Sequence, residues 1–507
     1  MTVPEPPAIE LVGVAKSFGA VRANHDINLR IARGSIHGIV GENGAGKSTL
    51  MSILYGFYQA DAGQIRVNGR EVAIPDSRVA LSLGIAMVHQ HFMLVEPFTV
   101  LENVVLGAEG GMLTGPALTR ARAELERLGR AFDLAVDPDA VTGTLSVGEL
   151  QRVEILKALY RGADVLILDE PTGVLTPAEA DHLFRVLATL KAQGKTVVLI
   201  THKLREIMAV TDAVTVMRAG TVVETKATAD TDVAELAGLM VGRRVLLTVE
   251  KGPATPGRPV LEAENLVVRD ARGVTRVKDV SLTVRAGEIV GIAGVAGNGQ
   301  SELMAALAGI LKPVSGRVRI DGAASAGDPR RVRGQGLAHV PEDRHRMGLV
   351  TAFAASENAV LGYQSDPALG PGPLMAPSAV RAVAEAAFAA YDVRPPDVRL
   401  KTALFSGGNQ QKIVLAREIE RDPVVLIVGQ PTRGVDIGAI EFIHQRLVRL
   451  RDAGKGILLV SVELDEIRAL SDRILVMFDG RIVGEREGGA DERSLGLLMA
   501  GVTGEAA

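Results

Sequence analysis

Three landmarks recur along this chain at a near-constant spacing, and that duplication restricts the fold more than any other feature of the sequence. Gly41–Ser48 is answered by Gly294–Ser301, Leu145–Gly148 by Phe405–Gly408, and Val165–Thr172 by Val425–Thr432. The offset is 253 residues at the first landmark (300 − 47) and 260 at the other two (406 − 146 and 429 − 169). A period of this length is too long for a solenoid and implies two homologous globular halves. The strand patterns of Ile9–Ile31 return at Val260–Val284. Between the halves, residues 250–259 read Glu-Lys-Gly-Pro-Ala-Thr-Pro-Gly-Arg-Pro, a composition that suits a short linker. The expected domains are therefore 1–249 and 260–507.

The first landmark carries polyphosphate chemistry. Gly41-Glu42-Asn43-Gly44-Ala45-Gly46-Lys47-Ser48-Thr49 fits G-x-x-x-x-G-K-[ST], follows the apolar run Ile36–Val40, and precedes a helical pattern from Ser48 to about Tyr58. Glycines let several backbone N–H groups turn toward one anion, and the start of a helix adds its own unsatisfied donors. Lys47 supplies positive charge to the β- and γ-phosphates, and Ser48 is placed to hold Mg²⁺.

The second landmark, Val165-Leu166-Ile167-Leu168-Asp169-Glu170, reads as a buried parallel strand ending in two acids. In a doubly wound sheet the carboxyl end of such a strand lies beside the phosphate loop. Asp169 is then expected to bind Mg²⁺, and Glu170 to orient or deprotonate the water that attacks the γ-phosphate. Each half has strands, a phosphate loop with its helix, a helix-rich middle, and strand–helix alternation, so the class is α/β with a helical insertion. In the middle of half one, Leu118, Ala121, Leu125, Leu128 and Phe132 form an apolar stripe expected to be core.

Composition narrows the function. With 56 basic and 60 acidic residues the net charge is −4, which argues against a dominant nucleic-acid surface. The absence of cysteine excludes disulfides and cysteine-ligated metal centres. No uninterrupted apolar run approaches the roughly 20 residues that span a bilayer. The N-terminal stretch Met1–Glu10 has neither the basic region nor the apolar core of a secretion signal. A membrane role is expected to be peripheral.

The third landmark, Leu145-Ser146-Val147-Gly148-Glu149-Leu150-Gln151, with its second copy Phe405-Ser406-Gly407-Gly408-Asn409-Gln410-Gln411, resembles the signature segment of ATP-binding cassette (ABC) ATPases. The resemblance implies two ABC-type P-loop nucleotide-binding domains in tandem, each with a helical subdomain. It further implies that each signature closes on the phosphate loop of the opposite domain. Gln90 in Val88-His89-Gln90 matches the family's loop glutamine, which senses Mg²⁺ and the attacking water. His202 matches its switch histidine, and Phe18 its adenine-stacking aromatic. By the same resemblance Asp436 follows the second acidic strand at the family's aspartate position, where half one has Thr176.

Half two departs from the pattern where chemistry happens. Gly294, Gly297 and Gly299 keep the cradle before Ser301, but Gln300 replaces the lysine, Gly429 the metal-binding aspartate and Gln430 the catalytic glutamate. Val462 replaces the switch histidine and Glu342 the loop glutamine. Sorted as interfaces, one ATP·Mg²⁺ site is complete: Phe18, Gly41–Thr49, Gln90, Asp169, Glu170 and His202, closed by Ser406, Gly407, Gly408 and Asp436. The other, with Gly294–Ser301, Glu342, Gly429 and Gln430 facing Ser146 and Gly148, is expected not to hydrolyse ATP.

Over nearly its whole length the chain is similar to fused tandem-cassette ATPase subunits of importers for simple sugars or nucleosides. Val88-His89-Gln90-His91-Phe92-Met93-Leu94 resembles the nucleoside-type subfamily. That resemblance implies two integral-membrane permease subunits, an extracytoplasmic solute-binding lipoprotein, one fused chain per transporter, and a place on the cytoplasmic face of the membrane. Docking is expected along His91–Leu106 and Asp343–Leu361, with Phe92, Met93, Leu94 and Phe98 as anchors or ordinary core. The alternative is a soluble tandem-cassette factor bound to the ribosome, against which the short linker and the stripped second site argue.

Overall fold

Branched apolar runs make the central strands. Val165–Leu168 and Val425–Val428 are buried on both faces, and each lies one position in from the edge of a six-stranded sheet. The computed structural model describes residues 6–19, 21–89, 92–108, 114–173, 175, 177–201, 203–243, 249–295, 297–370, 374–435 and 437–502. The chain divides into two compact units, residues 1–245 and 246–507.

In the first unit the six-stranded sheet runs in the order Thr221–Ala227, Ala213–Arg218, Ile36–Gly41, Thr196–Ile200, Val165–Asp169, Ile85–Val88. All neighbours are parallel except the antiparallel edge strand Thr221–Ala227. The register aligns the ends that matter: Asp169 stands opposite Ile200, and Ile200 opposite Ile39. The acidic strand and the phosphate-loop strand therefore release their chains at the same carboxyl edge, where doubly wound sheets bind ligands. A four-stranded antiparallel sheet, in the order Val21–Ile31, Ile9–Phe18, Ala62–Val67, Arg70–Val72, contributes to the same apolar core. The helix Lys47–Leu54 adds Leu50, Met51, Ile53 and Leu54 to that core.

The second unit repeats this topology strand for strand, with Ile289–Ala293 in the place of Ile36–Gly41 and Val425–Gly429 in the place of Val165–Asp169. The helical insertion of the first unit is built from Val100–Val105, Thr114–Phe132 and Val147–Tyr160. Its stripe is core at Ala121, Leu125, Leu128 and Phe132, which are buried, while Leu118 is half-buried against Leu101, Val105 and Ala121.

Two local features differ from the sequence reading. The helix after the phosphate loop starts at Lys47 and stops at Leu54, short of Tyr58, because the chain passes through Gly56 at a φ of 82°. This stop turns Tyr55 and Phe57 back onto His89, with ring centroids 5.8 and 5.4 Å away. In the second unit the stretch just before Pro259 is tied down. Lys251 donates to the carbonyls of Leu470 and Ser471 and to Asp472, and the buried Arg451 bonds both Asp472 and the Gly252 carbonyl.

Candidate functional site

Gly46 shows why the phosphate loop is built as it is. It caps the helix Lys47–Leu54 at a φ of 94°, a left-handed conformation that side chains resist, and a Cβ there would meet the Asn24 amide at 2.6 Å. Asn24, itself buried, donates to the Gly46 carbonyl at 3.1 Å and fixes the turn. Lys47 is 6 % exposed, and its ammonium donates to the carbonyls of Gly41 at 2.6 Å and Glu42 at 3.0 Å. Burial pulls this ammonium below the usual lysine range, while Glu170, Asp169 and Glu42 pull it back. Burial, then the Glu170 charge, pushes Asp169 above the usual carboxylate range, opposed by Lys47 and by a hydrogen bond from Ser48. A bound cation would relieve that strain by restoring opposite charge beside Asp169. The donor set of a serine hydroxyl and a carboxylate suits a hard, oxygen-seeking ion such as Mg²⁺.

Glu170 follows Asp169 at a φ of 47°, and its N–H donates to the Ile200 carbonyl at 2.8 Å, turning the chain at the carboxyl edge. Phe18 ends the strand Ile9–Phe18 with 42 % of its surface exposed and an edge contact to Tyr58, centroids 5.0 Å apart. The Lys16 ammonium lies over the same ring, 5.6 Å from its centroid. Gln90, His202 and Asp436, and with them Thr176, lie outside the described residues.

The two signature turns separate on chemistry. Ser146 caps the helix Val147–Tyr160 in a reciprocal box: its hydroxyl and N–H both donate to the Glu149 carboxylate at 2.8 Å. A second carboxylate crowds the same turn, since a Cβ on Gly148 would lie 2.5 Å from Glu179. At the other signature, Ser406 caps Gly407–Ile419 but accepts from the Asn409 amide at 2.9 Å, which leaves its own proton to donate. The neighbour there is a cation: a Cβ on Gly407 would lie 2.6 Å from an Arg344 nitrogen, and Arg344 donates to the Arg433 carbonyl at 2.8 Å. One helix start faces two carboxylates, and the other has a hydroxyl that donates to no acceptor among the described residues and a guanidinium beside it. Only the second is electrostatically fitted to a phosphate.

Around the second phosphate loop the substitutions fill space. Gln300 is 5 % exposed and donates to the Val295 carbonyl at 3.1 Å, an echo of Lys47 without its charge. Gln430 is buried and accepts from the Val462 N–H at 3.4 Å. Ser301 donates to the carboxylate of Glu342. Sequence reasoning missed three partners here, Glu179, Arg344 and the Ser301–Glu342 pair. The one signal available for them was the acid standing at 342 where a glutamine is expected.

The fold and these paired phosphate loops define a tandem of P-loop nucleotide-binding cassettes. The chain belongs to the ABC transporter family, whose model matches residues 24–173 and 277–433. It is 48% identical to a guanosine import ATP-binding protein of Bacillus subtilis (strain 168), over 98% of both chains. It is 46% identical to a nucleoside import ATP-binding protein of Lactococcus lactis subsp. cremoris (strain MG1363), covering 97% of this chain and 98% of that one. A glucose import ATP-binding protein of Haloferax volcanii is 45% identical, over 98% of this chain and 96% of its own. In fold it is similar to the structure of an archaeal ribosome recycling factor solved with a ribosomal stalk protein, with a TM-score of 0.64 over 97% of this chain and 92% of that one; at 19% identity this shows the fold alone.

Proposed function

We propose that this chain is the ATP-hydrolysing subunit of a membrane importer for nucleosides, with sugars as the second solute class, and that one of its two ATP sites turns over. The observation that carries the one-site reading is the contrast between the signature turns. Ser406 keeps a hydroxyl proton beside Arg344, whereas Ser146 has spent its own on Glu149 with Glu179 alongside. The turn suited to phosphate lies in the unit with the degenerate loop, as the family's cross-closing arrangement requires. The solute class rests on the import proteins of B. subtilis and L. lactis, which match this chain end to end. The ribosome-bound alternative has no support beyond a shared fold.

In the working site Lys47 binds the β- and γ-phosphates, Phe18 stacks on adenine, and Glu170 with Gln90 orients the attacking water and takes its proton. His202 and Asp436 complete the γ-phosphate surroundings. Mg²⁺, held by Ser48, Asp169 and Gln90, would neutralise charge on the phosphate oxygens. Ser406, Gly407 and Gly408 close on the γ-phosphate from the other unit, and their release after hydrolysis lets the units part. Two permease subunits receive that motion at the cytoplasmic face of the membrane, fed by a solute-binding lipoprotein. Exposed apolar side chains suit docking there: Met93 and Phe98 in one unit, Met347 and Phe353 in the other. Among the described residues no helix is long and apolar enough to cross a membrane, which fits a peripheral subunit.

The test is ATP-driven uptake of labelled guanosine, ribose and glucose into vesicles holding the chain with its permeases. Guanosine uptake that Glu170→Gln abolishes is expected. ATP turnover unchanged in Glu170→Gln would remove the assigned site, and transport of glucose but not guanosine would reverse the solute order.

A further inference from the structure

The turn after the phosphate-loop helix Lys47–Leu54 brings Tyr58 and Asp61 back to the end of the strand Ile9–Phe18. Gly56, at a φ of 82°, ends the helical path, and the N–H groups of Phe57 and Tyr58 both donate to the Ser52 carbonyl, at 2.8 and 3.2 Å. The Asp61 N–H then donates to the Ala15 carbonyl at 2.8 Å and ties the turn to the strand. From there the Asp61 carboxylate accepts from the Lys16 ammonium and from the Ser17 N–H, each at 2.7 Å. The ammonium that Asp61 holds is the one over the Phe18 ring, and Tyr58 meets that ring with the two planes at 71°. Phe18, exposed at a strand end, is thus touched by a second ring and by a cation that an acid pins in place.

The second unit keeps this backbone and none of these side chains. Gly309 turns at a φ of 74°, the N–H groups of Ile310 and Leu311 donate to the Ala305 carbonyl at 2.8 and 3.0 Å, and the Val314 N–H donates to the Val267 carbonyl at 2.7 Å. These bonds align Leu311 with Tyr58, Val314 with Asp61, Val268 with Lys16 and Asp270 with Phe18. Leu311 packs against the apolar core, Val268 is buried in it, and Asp270 accepts from Arg276 at 2.9 Å. The turn itself therefore needs neither the aromatic pair nor the ion pair. All four residues stand in the unit that has the phosphate-loop lysine, and all four are replaced in the unit that lacks it.

We propose that Tyr58 and the Lys16–Asp61 pair position Phe18 for the base of the nucleotide, so that the ring is in place before ATP arrives. This rests on the reading of Phe18 as the aromatic that stacks on adenine. An exposed side chain left to itself has rotamers to lose on binding, and each one that must be immobilised costs affinity. The ring contact with Tyr58 and the ammonium above the ring restrict Phe18 in advance. Tyr58, Lys16 and Asp61 are positioning residues: they act on the adenine through Phe18, and they leave the phosphates to the loop and the attacking water to the acidic strand. Recognition of the base is thereby separable from phosphate binding.

The experiment uses the full chain reconstituted with its permeases and follows phosphate release, with ATP as substrate and the magnesium complex of inorganic tripolyphosphate as a competitor that has no base. Phe18→Ala is expected to raise KM for ATP about tenfold. Tyr58→Ala and Asp61→Ala are each expected to raise it about threefold, with kcat and inhibition by tripolyphosphate unchanged, and Tyr58→Phe to restore it. In the Phe18→Ala background neither substitution is expected to raise KM further, because both act through that ring. Four results would each overturn the proposal: a KM indifferent to Tyr58→Ala and Asp61→Ala, a parallel loss of tripolyphosphate inhibition, effects that add to that of Phe18→Ala, or a lower KM in Lys16→Ala, which would mean that the ammonium screens the ring from the base. A KM unmoved by Phe18→Ala would remove the adenine reading itself, and the proposal with it.

Discussion

At the scale of single residues, the two signature serines do different work although their sequence contexts read alike. Ser146 is consumed by its capping box with Glu149, and Ser406 is not, because Asn409 donates where Glu149 accepts. Ser406→Arg is therefore expected to abolish ATP turnover, and Ser146→Arg to reduce it far less. The measurement is steady-state phosphate release from the reconstituted transporter, and the opposite ranking would defeat the assignment of Ser406–Gly408 to the working site. Glu170→Gln is expected to lower turnover about 10²- to 10⁴-fold, the range of a lost general base, while ATP still binds. A filter-binding assay on the same preparation separates those two effects. These roles were partly legible in the sequence: the loop glycines, Lys47 and Glu170 follow each other in fixed local order. Arg344 and Glu179 were not, because what matters about them is the turn they lean against, 63 and 31 residues away in the chain (407 − 344 and 179 − 148).

At the scale of elements, the phosphate-loop strand Ile36–Gly41 contains a buried histidine with a measurable consequence. His37 is bonded to the Thr215 hydroxyl at 2.8 Å, and burial holds its pKa down to about 4 against an ordinary 6.5. Between those values the unfolded chain takes up a proton that the folded strand refuses, so stability falls as pH drops from 6.5 toward 4. The slope from one such group is about 1.4 kcal/mol per pH unit. His339, in the strand Leu337–Val340 beside Val425–Gly429, is half-buried and held at about 4 for the same first reason. Urea midpoints at several pH values are expected to show this loss, and His37→Gln, which keeps an amide for Thr215, to flatten the first unit's share. An unaltered pH slope in that variant would show that the histidine is not buried neutral. Hydrophobic runs announced these strands in the sequence, and the apolar stripe announced the helix Thr114–Phe132. The early stop at Leu54 was hidden, because Tyr55 continues a helical pattern and the packing of its ring on His89 is a tertiary fact.

At the scale of the whole molecule, the start of the second unit is secured by charge. Arg451, 2 % exposed, pairs with Asp472, and Lys251 joins the same carboxylate and two carbonyls beside it. Removing one partner of a buried pair leaves an uncompensated charge, a loss of about 3–5 kcal/mol. Asp472→Ala is expected to destabilise the second unit by roughly the lower end of that range, because Asp452 also bonds Arg451. Hydrogen exchange resolved by peptide is expected to place the loss between 246 and 507; a loss spread equally over both units would count against this account. The sequence by itself determined the duplication, the α/β class, the intact first phosphate loop and the erosion of the second, because each is written in residues adjacent along the chain. Only the tertiary structure decided which acid meets which serine and which turn carries a cation. Parallel strands set side by side in an order different from their order in the chain deliver their loops to one edge, and there Glu342 reaches Ser301 and Arg344 reaches Gly407.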